Sequence, residues 1–126
     1  MTRTLAIDLD VPAALWLTAN GREHWREKAR RTKALRTLAH AHCTPRTTRF
    51  DGPVNDTATI SYPTARRADP ANASPTVKAV LDGIVDAGLL ADDDHLHVPR
   101  VTFERGPDTR RRGIYHVAID LAEVAP

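Results

Sequence analysis

The feature that most constrains the fold is an alternation of apolar and polar residues, which recurs in separate stretches of the chain. Every second residue over 5–11 is a large aliphatic one, which is typical of a strand with one buried face. The same period of two extends over 54–62. We predict two more strands, around 98–105 and 114–121, joined as a hairpin by residues 106–113. These segments together imply a sheet.

Two helices are predicted between these strands. Residues 22–42 contain neither proline nor glycine, and their thin apolar stripe indicates a helix that lies on the surface. That stripe consists of Trp25, Ala29, Leu35 and Ala39. A second helix is expected to begin at Ser74, which would cap it, and to end at Gly88. Its buried face would be formed by Val77, Val80, Leu81 and Ile84, and the Thr- and Arg-rich residues 45–53 would connect the first helix to the second strand.

The order of these segments, β-α-β-α-β-β, predicts a small α+β domain with a mixed sheet and helices packed on it. A chain of 126 residues, with 41% hydrophobic and 27% charged residues, is expected to be one soluble globular domain over 1–126. No apolar run approaches the roughly 20 residues that span a bilayer, and no apolar signal core follows Met1. We therefore expect a cytoplasmic protein with no membrane partner.

Charge is distributed unevenly along the chain. Between Asp69 and Asp94 there are six aspartates and one basic residue, Lys78. The rest of the chain holds 17 of the 18 Lys and Arg residues and 10 of the 16 acids. Carboxylates bind hard divalent cations, and surrounding basic residues bind a phosphate backbone, so this combination is typical of a metal-dependent nuclease. Exposed aspartate-rich turns without a metal are the alternative interpretation.

Basic residues cluster where they could follow a DNA backbone. Nine Lys and Arg residues against two acids lie over 22–49, which fits either a solvated helix face or a phosphate-binding surface. Aromatic residues make up only 5% of the chain, so an aromatic platform for base stacking is not expected. Trp16 and Trp25 are predicted to be packing anchors. The predicted DNA-binding residues are Arg22, Arg26, Arg30, Arg31, Lys33, Arg66, Arg67, Arg110, Arg111 and Arg112.

Three motifs follow one another in the second half of the chain. Residues 66–72 read Arg-Arg-Ala-Asp-Pro-Ala-Asn, residues 78–83 read Lys-Ala-Val-Leu-Asp-Gly, and residues 86–94 read Asp-Ala-Gly-Leu-Leu-Ala-Asp-Asp-Asp. Together they resemble the core of the RusA family of Holliday junction resolvases. The match covers roughly residues 60–105 and, more loosely, 16–38. It implies a RusA-like fold in a small homodimer that cuts four-way DNA junctions with Mg²⁺ or Mn²⁺, as enzymes of many phages and prophages do.

The resemblance assigns roles to individual residues. Asp69 and Asn72 match the first aspartate and the asparagine of the family's D-x-D-N motif, whereas Ala71 replaces the second aspartate, a metal ligand in the family. Lys78 matches the family lysine after an insertion at 73–75. Asp82 matches the aspartate on the helix. These matches imply that Asp69 and Asp82 bind metal and that Lys78 stabilises charge on the phosphate.

The acidic loop after the second helix carries the last part of the match. Asp93 best matches the second aspartate of the family pair, with Asp92 as its neighbour and Asp94 as a further candidate for the same role. Either Asp82 or a residue of this loop supplies the ligand missing at Ala71, or the activity is weakened or altered. A helix of about 14 residues is roughly 21 Å long, so local geometry alone does not bring the loop to Asp69.

The sequence thus predicts a structure-selective endonuclease, with Asp69, Lys78, Asp82 and Asp93 in catalysis and Asp92 as an additional metal ligand. One rival is a DNA-binding protein that keeps the fold but has a degraded metal site. Another is a metal-dependent hydrolase of a smaller phosphate ester. His95 and His97, predicted to share one face of a strand, would suit zinc only with a third ligand.

Overall fold

A computed structural model describes residues 3–44 and 48–124, so the first part of the predicted connector, at 45–47, lies outside the described residues. The described elements form a small α+β domain in which a four-stranded mixed sheet is combined with two α-helices, as predicted. Two short 3-10 helices were not predicted. The elements are β1 (Thr4–Pro12), a 3-10 helix (Ala13–Leu15), α1 (Trp25–Cys43), β2 (Val54–Ser61), a second 3-10 helix (Pro70–Ala73), α2 (Ser74–Asp86), β3 (Arg100–Arg105) and β4 (Ile114–Glu123).

The four strands lie in the order β1-β4-β2-β3. Strand β4 is antiparallel to both of its neighbours, whereas β2 and β3 are parallel. The predicted hairpin between β3 and β4 is therefore wrong, because residues 106–113 carry the chain past β2 instead. Burial explains the arrangement: Val117, Ile119 and Leu121 of β4 are fully buried, whereas β3 has no buried residue. The apolar strand takes a central position and the exposed strand takes the edge.

One face of the sheet packs into the core with the helices. The predicted apolar residues of α2 are all buried there, which confirms that part of the helix prediction. The opposite face of the sheet is polar, with Asp8 and Asp10 of β1 and Asp120 of β4 exposed on it. The strand residues that face the core are Ile7, Leu9, Val11, Val54, Ala58, Ile60, Val117, Ile119 and Leu121.

The two helices approach each other closely at Gly83. A Cβ atom at this position would lie 2.4 Å from the backbone oxygen of Arg36 and 2.7 Å from Cβ of Ala39. Both distances are far inside van der Waals contact, so the approach requires a residue without a side chain. Gly83 thereby fixes the height at which α1 crosses α2, next to Asp82.

Only the second half of α1 packs against the core, since the buried residues of this helix are Leu35, Ala39 and Cys43. The helix begins at Trp25 rather than at 22, because Nδ1 of His24 accepts a hydrogen bond from the backbone N–H of Arg26 and caps the first turn. Of the helices in the described part of the chain, none is both apolar and long enough to cross a membrane.

The two tryptophans differ in environment. Trp16 is 7% exposed and stacks on Tyr115 with ring centroids 4.2 Å apart, which confirms it as a packing anchor. Trp25 is 68% exposed, so the same prediction is wrong for this residue. The physical reason is that the first half of α1, where Trp25 lies, extends beyond the part of the helix that packs on the core.

One buried acid was overlooked in the sequence. Asp56 of β2 lies on the core face, is 1% exposed, and its carboxylate makes no hydrogen bond with any described residue. Burial raises the pKa of Asp56 to about 7, with a contribution from the negative charge of Asp120. The alternation of β2 could have predicted this burial, because residue 56 lies on the same side of the strand as Val54, Ala58 and Ile60.

Candidate metal and nucleic-acid site

The candidate site is centred on Lys78, in the second turn of α2. Its Nζ donates a hydrogen bond to Oδ1 of Asp82 (3.2 Å), one turn further along the helix. It also donates to Oδ2 of Asp93, in the loop that follows the helix. Since two carboxylates share one ammonium, their oxygens are within reach of a single cation. The fold therefore brings Asp82 and Asp93 together, which local geometry could not show.

The loop returns to α2 because of the residues that follow the helix. Gly88 adopts a φ of +85°, the left-handed conformation that favours glycine and ends helices. Leu89 and Leu90 are then buried, and the backbone oxygen of Leu89 accepts from the N–H of Phe50 at 2.9 Å. These buried contacts fix the start of the acidic loop, so that Asp93 reaches the exposed side of α2.

The charges of this cluster are mutually stabilised. Partial burial by itself would raise the pKa of Asp93, whose side chain is only 12% exposed. Hydrogen bonding with Lys78 and Asp82 outweighs burial and lowers that pKa below its ordinary value. The bond to Asp93 in turn raises the pKa of Lys78, despite some desolvation and with a further contribution from Asp82. The cluster therefore keeps an ionised Asp93 next to a charged Lys78 at neutral pH.

At the N-terminal end of α2, Asp69 and Asn72 have local structural roles. Oδ1 of Asp69 accepts from the N–H of Ala71 at 3.0 Å and caps the second 3-10 helix, and the backbone oxygen of Asn72 accepts from the N–H of Ala19 at 2.8 Å. The predicted cap by Ser74 is wrong, because the 3-10 helix runs directly into α2, whose N-terminus has no side-chain cap. Asp69 is exposed, so it remains accessible to a ligand.

Within residues 3–44 and 48–124, three side chains bring possible metal-ligand atoms within 4.8 Å of one another. They belong to Asp92, Asp94 and His97. Oδ1 of Asp94 already accepts from the N–H groups of Leu96 (3.2 Å) and His97 (3.1 Å) and lies 2.5 Å from Nδ1 of His97. The hydrogen bond to the His97 ring is the main cause that lowers the pKa of Asp94. The turn accounts for the contacts of Asp94 and His97, whereas Oδ1 of Asp92 accepts from the N–H of Asp93 at 2.7 Å.

His95 and His97 lie in that turn and not on a strand. The predicted strand begins only at β3, at Arg100, because Asp94 accepts the backbone N–H groups that follow it and curls the chain into a turn. The prediction that these two histidines share one face of a strand is therefore wrong. A strand pairing of His95 with His97 therefore does not support zinc, whereas His97 lies with Asp92 and Asp94 in a group that could hold an ion.

The basic residues of α1 divide into two groups. Arg31 has a partly buried side chain that donates to Glu27 (2.9 Å) and to the backbone oxygen of Trp16 (3.0 Å), so it holds structure together. Arg30 also pairs with Glu27 (2.7 Å), and the two arginines lower the pKa of Glu27 to about 2. In contrast, Arg26 and Lys33 on α1, and Arg22 just before it, have exposed side chains and make no ion pair with a described acid.

The loop that presents Arg66, Arg67 and Asp69 is shaped by Arg105, which the sequence analysis missed. Its guanidinium donates to the backbone oxygens of Thr64 (3.2 Å), Arg66 (2.6 Å) and Ala68 (3.3 Å). It also lies 4.6 Å from the ring centroid of Tyr62, a cation–π distance. With three carbonyls bound, the loop leaves the Arg66 and Arg67 side chains exposed. They line an open groove of about 440 Å³ together with Trp16 and Tyr62.

The three arginines at 110–112 precede β4 and are exposed, though not at the tip of a hairpin. Arg110 has a φ of 57°, and Arg111 pairs with Asp10 of β1 at 2.7 Å. This region lies beside the open face of the sheet. It contributes positive charge, but an acid already neutralises part of it.

Scanned against models of known protein families, the chain matches none, and a search of curated proteins finds no relative. The resemblance to the RusA family therefore stays a prediction from the motifs at 66–94 and the looser match over 16–38. Of the residues that those motifs single out, the structure brings Lys78, Asp82 and Asp93 into one cluster.

Proposed function

We propose that this protein is a metal-dependent endodeoxyribonuclease that resolves four-way DNA junctions as a homodimer with a RusA-like fold. The observation that carries the proposal is the convergence of Asp82 and Asp93 on Lys78, on the surface of a chain that has 17 basic and 10 acidic residues outside 69–94. A carboxylate pair beside an ammonium is suited to hold a cation and a phosphate together.

The chemistry of these donors fits Mg²⁺ or Mn²⁺. Hard cations take oxygen ligands, and Mg²⁺ is commonly held by one or two carboxylates, with water and phosphate oxygens completing its shell. Asp82 and Asp93 would hold the ion, and the family motifs assign Asp69 and Asp92 as further ligands. When bound, such an ion activates water and neutralises the leaving oxygen of a phosphodiester.

Lys78 would act on the phosphate itself. Its ammonium stays charged at neutral pH, because both carboxylates raise its pKa. A cation fixed next to the reacting phosphate stabilises the negative charge that develops during hydrolysis. Arg66 and Arg67, exposed on the loop held by Arg105, would contact the backbone of a DNA arm.

A second candidate function is non-catalytic binding of branched DNA. It is favoured by Ala71, which removes one family carboxylate, and by Asp69, one oxygen of which caps the 3-10 helix. In that case the basic surfaces would remain and the ion would be bound too weakly to support hydrolysis. The two candidates predict the same binding and opposite cleavage.

A labelled synthetic four-way junction tests both. The nuclease proposal expects paired nicks in Mg²⁺ or Mn²⁺, none in EDTA, and none in a linear duplex of the same arm sequence. Binding measured in Ca²⁺ should weaken steeply with salt, with a slope of about −0.9 in log K against log salt for each phosphate contact. Salt-dependent binding without cleavage at any metal concentration would establish the second candidate. A flat salt titration would remove nucleic acid from the account.

A further inference from the structure

Trp25 occupies an unusual environment for a tryptophan. It is the first residue of α1 and is 68% exposed, although a tryptophan gains more from burial than almost any other side chain. The other tryptophan of this chain, Trp16, is buried against two tyrosines. The α1 residues that are buried begin only at Leu35, so the half of the helix that carries Trp25 lies outside the core.

The surroundings of Trp25 indicate the charge of what it contacts. The guanidinium of Arg26 lies 5.2 Å from its ring centroid, and the ring of His24 lies 5.6 Å away, inclined by 31°. A shallow groove of about 430 Å³ runs from Trp25 along α1, and none of the described residues that line it is acidic. Its lining residues are Trp25, Lys28, Ala29, Thr32, Lys33 and Arg36. Arg36 pairs with Asp86, whereas Lys28 and Lys33 make no ion pair with a described acid, so the groove complements a polyanion.

The far end of the groove contacts α2, the helix that carries Lys78 and Asp82. Arg36, at its far end, pairs with Asp86 of α2 at 2.5 and 2.8 Å, and its charge interacts with both Asp82 and Asp93. Eleven residues separate Trp25 from Arg36, which is about 16 Å along a helix. This length corresponds to about five nucleotides of a strand at 3.4 Å each. A strand that follows the groove can therefore extend from Arg36 to Trp25 with about five nucleotides.

We propose that Trp25 stacks on an unpaired base of branched DNA, while Lys28, Lys33 and Arg26 bind the phosphates beside it. This inference rests on the proposed function in its nucleic-acid part only. An exposed indole offers a flat ring to a base that is free to leave its own stack, and a cation beside the ring strengthens the contact. Bases inside a linear duplex are already stacked on their neighbours. Trp25 therefore selects branched or single-stranded DNA over duplex.

The test compares wild type with Trp25→Ala and Trp25→Phe, using a four-way junction, a single strand and a linear duplex, all in Ca²⁺. Trp25→Ala should bind the junction and the single strand about 5- to 150-fold more weakly, the loss that removing one base–aromatic stack causes. Its affinity for duplex and its salt slope should not change, because no charge is removed. Trp25→Phe should recover part of the lost affinity.

Fluorescence supplies an independent readout. Wild-type emission should be quenched by the single strand and the junction, whereas Trp25→Phe, which retains only the buried Trp16, should show no quenching. A blue-shifted emission maximum of Trp16 in that variant would report an intact fold. Equal junction affinity of wild type and Trp25→Ala, or an equal loss on duplex, would overturn the inference and leave the nuclease proposal standing. A change in sedimentation mass in Trp25→Ala would overturn it in favour of a contact between two copies. Absence of any DNA binding by wild type would instead overturn the proposed function.

Discussion

Two aspartates of this protein are largely removed from water, and they differ in how their charge is accommodated. The carboxylate of Asp93 forms an ion pair with Lys78, and the pKa of Asp93 lies below its ordinary value. Asp56 has no hydrogen-bond partner among the described residues, and burial raises its pKa to about 7. The fold preserves the charge at Asp93 and suppresses it at Asp56.

This difference distinguishes Asp93, whose carboxylate is suited to a functional site, from Asp56, whose carboxylate lowers the stability of the fold when it ionises. A partly exposed carboxylate that stays ionised next to a cation can bind a metal ion, alone or together with a phosphate. A buried carboxylate without a partner is accommodated mainly by taking up a proton, and ionising it destabilises the folded state. Asp93 is therefore the candidate for a functional site, although Asp56 has the larger pKa shift.

The largest expected effect is on stability at Asp56. Because the folded-state pKa of about 7 lies above the unfolded value of 3.8, the folded state binds this proton more tightly, and stability falls as the pH rises between these values. The loss is on the order of 4 kcal/mol. Asp56→Asn cannot ionise and should be more stable than wild type at pH 8, with the difference shrinking towards pH 4. Urea unfolding of both proteins across this range would show it, and parallel pH profiles would contradict a raised pKa at Asp56.

A second effect of similar clarity is expected at Lys78. Lys78→Met keeps most of the side-chain length but removes the ammonium, so Asp93 loses its hydrogen-bond donor and its pKa should rise. Junction cleavage should fall roughly 100-fold, as when one preorganised charge-stabilising group is removed from an active site. Carboxyl ¹³C shifts would follow Asp93 during an acid titration without DNA, and Lys33→Met, on α1, serves as the control for that titration alone. An unchanged Asp93 titration would break the contrast with Asp56.

A smaller effect is expected at Ala71, where the chain departs from the RusA pattern. Ala71→Asp restores the missing carboxylate of the motif that begins at Asp69. It should lower the Mg²⁺ concentration needed for half-maximal cleavage several-fold, since affinity rises with the number of charged oxygen ligands. Ala71→Asn, of similar size but without charge, serves as the matched control. If both variants behave like wild type, the N-terminal end of α2 does not contribute to the metal site.

The smallest expected effect is on the stability of Asp82→Ala. Asp82 lies on the polar side of α2 and is held by the i,i+4 pair with Lys78. Losing that pair should lower the free energy of unfolding by about 0.2–0.5 kcal/mol. By comparison, Gly83→Ala at the helix crossing should cost well over 1 kcal/mol, because a Cβ would overlap the backbone of α1. Chemical denaturation of both variants would measure the difference, and a large loss in Asp82→Ala would mark the residue as structural.

Much of the fold follows from local patterns in the sequence, and the exceptions depend on long-range packing. The alternation over 5–11 and 54–62 and the apolar stripe of α2 predicted elements within a few residues of their observed bounds. The pairing of β4 with β1 and β2 could not be predicted, because both strands next to the 106–113 segment have strand character and only burial decides which is central. Similarly, a helix start at 22 ignored the capping by His24.

The candidate site shows the same division. The motifs predicted Lys78, Asp82 and Asp93 as site residues. Their convergence depends on the loop after α2, which turns at Gly88 and is held by the buried Leu89. Arg105 holds the Arg66 loop through three backbone carbonyls. Every residue has such a carbonyl, so the sequence could not predict these contacts. Exposure of Trp25 likewise depends on where α1 stops packing.

The central claim is that Asp93, held by Lys78 and Asp82, serves a catalytic metal site. The most direct test is cleavage of a four-way junction in Mg²⁺ under single-turnover conditions by wild type, Asp93→Asn and Asp86→Asn. Asp86 is the matched control, because it is also on the exposed side of α2 but pairs with Arg36. We expect Asp93→Asn to cut at least 100-fold more slowly while still binding the junction, and Asp86→Asn to remain close to wild type. Cleavage by Asp93→Asn at the wild-type rate would contradict the account.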